Sequence, residues 1–273
     1  MIDLHVHVLP GIDDGARDLT VSRAMLARLA AMGFWRVVAT PHLMEPLSPD
    51  YTLRAEAALD ATREVAAEFS IQLDLGFEVM LTPDVAARLD AGEASTLADT
   101  RAVLVELPFV GWPQHAESSL FALQIGGYVP VLAHPERYVD VQKDSELALA
   151  VAARGVVLQL TEASFAGTYG KGVQRSARSL LKEGLARRLP MVLSTDAHSD
   201  GQRLTSVPDG LRWVRRHAAN DADAGDAVVR WMTETVPAAL LADAEIPALA
   251  GMTDGARAPA GRPSLLRRVT GRG

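Results

Sequence analysis

Met1-Ile2-Asp3-Leu4-His5-Val6-His7 is an apolar run that ends in two histidines one residue apart. Period-two alternation puts His5 and His7 on one face of a strand end, as two ligands of one ion require. Asp3 shares their parity and is placed behind them, orienting an imidazole. Gly11-Ile12-Asp13-Asp14-Gly15 follows, two adjacent carboxylates between glycines. Such a loop lets either acid turn inward; Asp14 is taken as the ligand, with Asp13 left open as the alternative.

Outward from this stretch the same pattern recurs. Apolar runs at Trp35–Thr40, Ile71–Val79, Ala102–Leu107, Val129–Ala133, Val156–Leu160 and Met191–Ser194 have the length of buried strands. Helical stretches separate or follow them: Leu19–Met32, Tyr51–Phe69, Ala116–Gly126, Glu146–Arg154, Gly172–Arg188, Val207–Ala218 and Asp221–Thr235. Alternating strands and helices imply a parallel sheet or barrel. Seven strands predict an α/β fold, a distorted seven-stranded (β/α) barrel, with a doubly wound open sheet as the competing arrangement. After the strands come Thr40-Pro41-His42, Gly76-Phe77-Glu78, Glu106-Leu107-Pro108, Ala133-His134-Pro135-Glu136-Arg137 and Thr195-Asp196-Ala197-His198. Parallel barrels carry their active sites at that end. The mouth would gather His5, His7, Asp14, His42, Glu78, Glu106, His134, Asp196 and His198. His115 and His217 fall in helical contexts and stay outside the set.

Imidazole and carboxylate donors without thiolate suit Mn, Fe or Zn. Nine donors exceed what one ion uses, so two or three divalent ions are expected. Asp14, Glu78, Glu106 and Asp196 would offset four of the six charges on three ions, and a phosphate ester would take up the surplus. Clustered ions lower the pKa of bound water and clamp attacking and leaving oxygens.

Composition narrows the field. The 273 residues include no cysteine, which removes disulfides and cysteine-nucleophile mechanisms. A net charge of −7 disfavours non-specific nucleic-acid binding. No apolar run reaches the length of a membrane span, and the opening residues lack a secretory pattern, so a cytoplasmic protein is expected. Residues 1–245 read as one catalytic barrel. Residues 246–273 read as a disordered basic tail, since 251–273 hold five Arg and one Asp among Gly, Pro and Ala.

The carrying stretches resemble the polymerase-and-histidinol-phosphatase (PHP) superfamily. They are Asp3-Leu4-His5-Val6-His7-Val8-Leu9-Pro10-Gly11-Ile12-Asp13-Asp14-Gly15-Ala16, Ala39-Thr40-Pro41-His42, Gly76-Phe77-Glu78, Val105-Glu106-Leu107-Pro108, Ala133-His134-Pro135-Glu136-Arg137-Tyr138 and Ser194-Thr195-Asp196-Ala197-His198-Ser199. The Leu-Pro-Gly-Ile-Asp-Asp-Gly and His-Pro-Glu-Arg runs are similar to the CpsB/YwqE group of bacterial capsule and exopolysaccharide tyrosine phosphatases, over roughly residues 1–245. Members of that group often carry Ser where this chain has Val6 and Thr195, positions that bear no implied ligand.

The resemblance implies a trinuclear centre in a distorted seven-stranded barrel. One ion would take His5, His7, Glu78 and Asp196. A second would share Glu78 and take Glu106 and His134. A third would take Asp14, His42 and His198. Arg137 would meet a phosphate oxygen, its fork suiting that contact better than lysine, and Arg203 is a second candidate. Asp196 or His198 would protonate the leaving group. Phe109, Trp112 and Tyr138 would line a phenol pocket. The implied partner is a tyrosine-phosphorylated protein, a bacterial tyrosine kinase of polysaccharide export, and the implied ion is Mn²⁺. Two alternatives share the residues: a small-molecule phosphomonoesterase of histidinol-phosphate or nucleotide type, and a module that binds metal or phosphoprotein without turnover. No strand-end lysine is available for a carbamylated bridge, and neither a Gly-Asp-X-His pattern nor a phosphate-binding P-loop occurs.

Overall fold

The computed structural model describes residues 1–219 and 221–249. All strand pairs are parallel. β1 (Ile2–Val6), β2 (Arg36–Ala39) and β4 (Gln72–Leu75) form one sheet in the order β1-β2-β4. β3 (His42–Leu43), β5 (Glu78–Met80), β6 (Ala102–Glu106), β7 (Val129–Ala133), β8 (Val157–Thr161) and β9 (Met191–Ser194) form the other, in that order. β1, β6, β8 and β9 are buried at every residue, as strands covered on both faces must be.

Two of the expected strands are broken. The run at 35–40 gives β2 and resumes as β3 beyond Pro41, which has no N–H for the ladder. The run at 71–79 divides at Gly76-Phe77 into β4 and β5. The pairing bridges both breaks, because Gly76 N–H donates to Ala39 O at 2.8 Å and Glu78 N–H to Pro41 O at 3.1 Å. β1 also bonds the segment after β9: His7 N–H to Ala197 O at 2.9 Å and Asp196 N–H to His5 O at 2.8 Å.

Local chemistry sets the helices that support the site. Ser48 caps the helix Pro49–Glu68 by accepting from Tyr51 N–H, and proline occupies its first turn. The Tyr51 hydroxyl then donates to His42 O at 2.8 Å, tying the start of this helix to a strand end. The expected helix Asp221–Thr235 is two pieces, Ala222–Arg230 and a π-helical turn Trp231–Thr235, and a further helix Val236–Leu240 continues past its expected end. The segment beyond packs back beneath the strands. Asp243 accepts from Arg101 N–H at 2.7 Å, and Trp231 Nε1 donates to Pro247 O at 2.8 Å. Ile246 and Leu249 lie partly buried against the core. The rest of the expected tail, 250–273, lies outside the described residues. Among the described residues no helix is long and apolar enough to cross a membrane.

Candidate metal centre

All nine residues expected at the mouth converge there. At the centre is Glu78, wholly buried at the start of β5. Its carboxylate meets His134 Nε2 at 2.8 Å, His42 Nδ1 at 3.0 Å, His5 Nε2 at 3.2 Å and His7 Nε2 at 3.3 Å. Burial opposes its ionisation, but the histidines, His5 foremost, hold its pKa well below the carboxylate range. Asp196 Oδ1 lies 3.5 Å from His5 Nε2 and 3.6 Å from His7 Nε2. Its pKa too is lowered against burial, by the charges of His5, His134 and Arg137.

Four overlapping groups have donors close enough to share an ion: His7, Asp14, His42 and His198; His5, His7 and Asp196; His5, Glu78 and His134; His42, Glu78 and Glu106. This pattern places Glu106 beside His42, at 3.1 Å, where the resemblance implied a share with His134. The donors fit divalent ions on their own evidence. Among the described residues, Glu78 Oε2, Asp196 Oδ1 and His134 Nδ1 are buried without a hydrogen-bond partner, and such atoms are costly unless a ligand satisfies them. His5 Nε2 and His7 Nε2 lie 3.2 Å apart, two nitrogens converging on one point.

The two loop acids divide the work. Asp13 turns inward: it bonds His7 Nδ1 at 2.7 Å and accepts from the backbone N–H groups of Gly15 and His42. These bonds outweigh burial and lower its pKa to about 2. Asp14 stays 70% exposed, yet its Oδ1 lies 3.4 Å from both His42 Nε2 and His198 Nε2. Gly15 makes the loop possible, since a Cβ there would stand 2.3 Å from His7 O.

Histidine protonation differs sharply across the mouth. Burial would lower His7, but Asp13 and Glu78 raise it to about 9. His42 is raised against burial to about 11 by Glu106 and Glu78. His198 is lowered to about 4 by burial and the charge on His7. In the metal-free protein both Asp196 and His198 thus favour the form without the extra proton.

Several side chains that shape the site escaped the sequence reading. Gln159, inside β8, bonds His5 Nδ1 at 2.9 Å and His134 N–H at 3.0 Å through one oxygen. An amide within an apolar strand is a signal that could have found it. Asp3 corrects an expectation: its carboxylate accepts from the backbone N–H groups of His5 and Thr195 and from the Thr195 hydroxyl, so it ties the ends of β1 and β9 together instead of orienting an imidazole. Burial raises its pKa to about 6. Tyr138 corrects an expectation: it is 2% exposed, and its hydroxyl joins Leu107 N–H to Ala133 O, so it braces the wall of the site. Phe109, 43% exposed, remains at the mouth 5.5 Å from the His134 ring. Trp112 packs edge-on against Tyr138. Arg137 bonds Asp196 Oδ2 at 2.5 Å, and Arg203 meets His198 Nδ1 at 2.6 Å. His115 and His217 lie apart, on Ser119 and Trp213. An apolar cavity of about 840 Å³, bounded in part by Val129, Pro190 and Trp231, opens below the strands and contains none of these groups.

Known proteins resemble this chain in sequence and in fold. Residues 1–228 match the family model for capsular polysaccharide synthesis, CpsB/CapC. The tyrosine-protein phosphatase YwqE of Bacillus subtilis is 31% identical over 201 residues, 73% of this chain and 78% of that protein. The tyrosine-protein phosphatase CpsB of Streptococcus pneumoniae is 28% identical over 208 residues, 73% of this chain and 83% of that one. A solved structure from work on YwqE and CpsB, described as unique metal-dependent tyrosine phosphatases, superimposes with a TM-score of 0.78 at 28% identity. It covers 91% of this chain and 97% of its own. With more than half its length matched, the chain belongs to the CpsB/CapC family.

Proposed function

We propose that this chain is a metal-dependent protein-tyrosine phosphatase, acting on a tyrosine-phosphorylated protein, a bacterial tyrosine kinase of polysaccharide export, in the cytoplasm. The observation that carries the reading is the buried Glu78 carboxylate facing four histidines, beside orphaned oxygens on Glu78 and Asp196. The hydrogen bonds from β1 to Asp196 and Ala197 support closure of the strands into a distorted seven-stranded barrel, with residues 1–245 as its catalytic unit.

His5, His7, Asp14, His42, Glu78, Glu106, His134, Asp196 and His198 would hold two or three divalent ions, Mn²⁺ being the proposed occupant and Fe or Zn compatible with the donors. Such ions supply Lewis acidity, activating water near neutral pH and offsetting phosphate charge. The protein's own groups do the rest. Asp13 and Gln159 hold the rings of His7 and His5 in place through their Nδ1 atoms. Arg137 and Arg203 present cations beside Asp196 to the equatorial phosphate oxygens, where charge spreads during in-line displacement. Phe109 offers an apolar face to the phenol ring. Phenol has a pKa of about 10, so phenolate needs less acid assistance than an alkoxide, and Asp196 or His198 would supply it.

The test is phosphate release from a tyrosine-phosphorylated peptide by chelator-treated protein, with and without Mn²⁺, beside His42→Ala and with histidinol phosphate as a second substrate. Manganese-dependent release from the peptide, lost in His42→Ala, is expected. Faster turnover of histidinol phosphate would favour the small-molecule reading, and no release by metal-loaded protein would reject both.

A further inference from the structure

Tyr169 lies against two cations. Its ring centroid is 4.7 Å from Arg137 Cζ and 5.4 Å from Arg203 Cζ. Arg137 also lies 4.7 Å from the Phe109 ring. Tyr169 follows the helix Glu162–Ala166, which leaves the top of β8. Gly167 and Gly170, at φ +90° and +92°, flank it and bend the chain there, a conformation open to glycine. The Tyr169 hydroxyl is buried and has no hydrogen-bond partner among the described residues. Burial and Asp196 push its pKa above the usual phenol range, so it stays neutral. Whatever this residue does for the arginines, it does with its ring.

The need for such a ring follows from the other contacts. Arg137 Nη1 is drawn to Asp196 Oδ2 at 2.5 Å, and Arg203 Nη1 lies 3.8 Å from the same oxygen. Two guanidiniums thus converge on one carboxylate oxygen while repelling each other. An aromatic face attracts both through its quadrupole without adding a competing anion. We propose that Tyr169 is a positioning residue whose ring holds Arg137 and Arg203 together, so that a phosphate meets both guanidiniums at once. This rests on the phosphatase reading above and adds to it a residue that touches neither the proposed ligands' ions nor the reacting atoms.

The experiment compares wild type, Tyr169→Phe and Tyr169→Leu, each loaded with Mn²⁺. Inorganic phosphate is the probe, its dissociation constant measured by calorimetry and its Ki against phosphotyrosyl-peptide turnover. In Tyr169→Leu both constants should rise roughly tenfold or more, as expected when two cation–ring contacts are lost. KM should rise with them, and Mn²⁺ loading should stay as in wild type. Tyr169→Phe should stay within about threefold of wild type, because the hydroxyl has no partner. A merely structural role would lower the active fraction, and so kcat, without moving Ki. Unchanged phosphate affinity in Tyr169→Leu, or a Phe variant as impaired as the Leu variant, would overturn the assignment while leaving an active wild type, and so the phosphatase reading, intact. A wild type that binds phosphate without hydrolysing the peptide would sink the phosphatase reading, and the binding constants would still decide the role of Tyr169. A wild type that neither binds phosphate nor turns over would end both.

Discussion

Metal loading should release protons, and the structure sets a lower bound on their number. In the metal-free protein His7 titrates at about 9 and His42 at about 11, both raised by buried or half-buried carboxylates. Both are cationic at pH 7, yet a nitrogen that takes an ion must first lose its proton. For His7 the gap of two pH units costs about 3 kcal/mol at pH 7, near a hundredfold in affinity. His42 adds a further proton, its cost reduced by its partial exposure. Loading should therefore expel at least two protons per chain, and Mn²⁺ affinity summed over the ions should rise about a hundredfold per pH unit between pH 6.5 and 8. Stability carries the opposite sign without metal. A histidine raised above its unfolded value of about 6.5 stabilises the fold fully below that pH. The contribution fades as pH climbs through about 9 for His7 and about 11 for His42. Metal-free protein should thus melt lower as pH rises from 6.5, while the increment in Tm on adding Mn²⁺ grows. Calorimetric titration of chelator-treated protein with MnCl₂ at pH 7, in two buffers of different ionisation enthalpy, counts the protons. Fewer than one proton per chain, or an affinity flat across pH 6.5–8, would refute the reasoning.

Other perturbations reach different parts of the site. Glu78→Gln removes the one carboxylate that meets four histidines, and breaking buried ion pairs of this kind costs about 3–5 kcal/mol. Chelator competition should show Mn²⁺ affinity down by about a hundredfold or more, with the circular dichroism spectrum of wild type; unchanged affinity would remove Glu78 from the ligand set. Arg137→Lys replaces a fork with a point charge, so peptide kcat/KM should fall roughly 10- to 100-fold while Mn²⁺ loading holds; equal losses of loading and turnover would mean the residue serves the ions instead. Gly210→Ala would put a Cβ 2.0 Å from Glu162 O in packed backbone. Overpacking of about 1–3 kcal/mol predicts a Tm lower by about 5 °C in a thermal melt, and an unchanged Tm would show that the helix Val207–His217 can shift at no cost.

The strand ends were legible because a titratable group inside an apolar run is an anomaly that packing must justify. His5, His7, Glu78, Glu106, His134 and Asp196 all carried that mark, and all are buried together. Asp14 and Asp13 could not be separated, because their roles depend on how closely the loop passes His7, which Gly15 decides through space. The breaks at Pro41 and Gly76-Phe77 left a trace in residue type but none in hydrophobic pattern, since both halves of each run remain apolar. Tyr169 was invisible for a different reason. Its partners come from the loops after β7 and β9, and nothing in Gly167-Thr168-Tyr169-Gly170 by itself announces two arginines. Tyr138 misled because position after a strand-end motif does not say whether a hydroxyl is free; here two backbone groups of the wall consume it.

Backbone conformation indicates how far the site is built before any ligand arrives. His134 and Asp196, at the ends of β7 and β9, have φ of +32° and +47°. Left-handed conformations of this kind cost a non-glycine residue of order 1–3 kcal/mol and persist only where surrounding structure overdetermines them. Both are held by hydrogen bonds made within the protein: His134 N–H by Gln159 Oε1 at 3.0 Å, Asp196 N–H by His5 O at 2.8 Å. Gln159 also holds the His5 ring, so one amide couples the ends of β1, β7 and β8. The strain serves a purpose that a regular strand end would not, since it turns both side chains inward toward Glu78 and His5. The fold therefore carries the cost of gathering these donors itself, and ligand binding need supply chiefly the displacement of protons from the raised histidines, His7 and His42 among them.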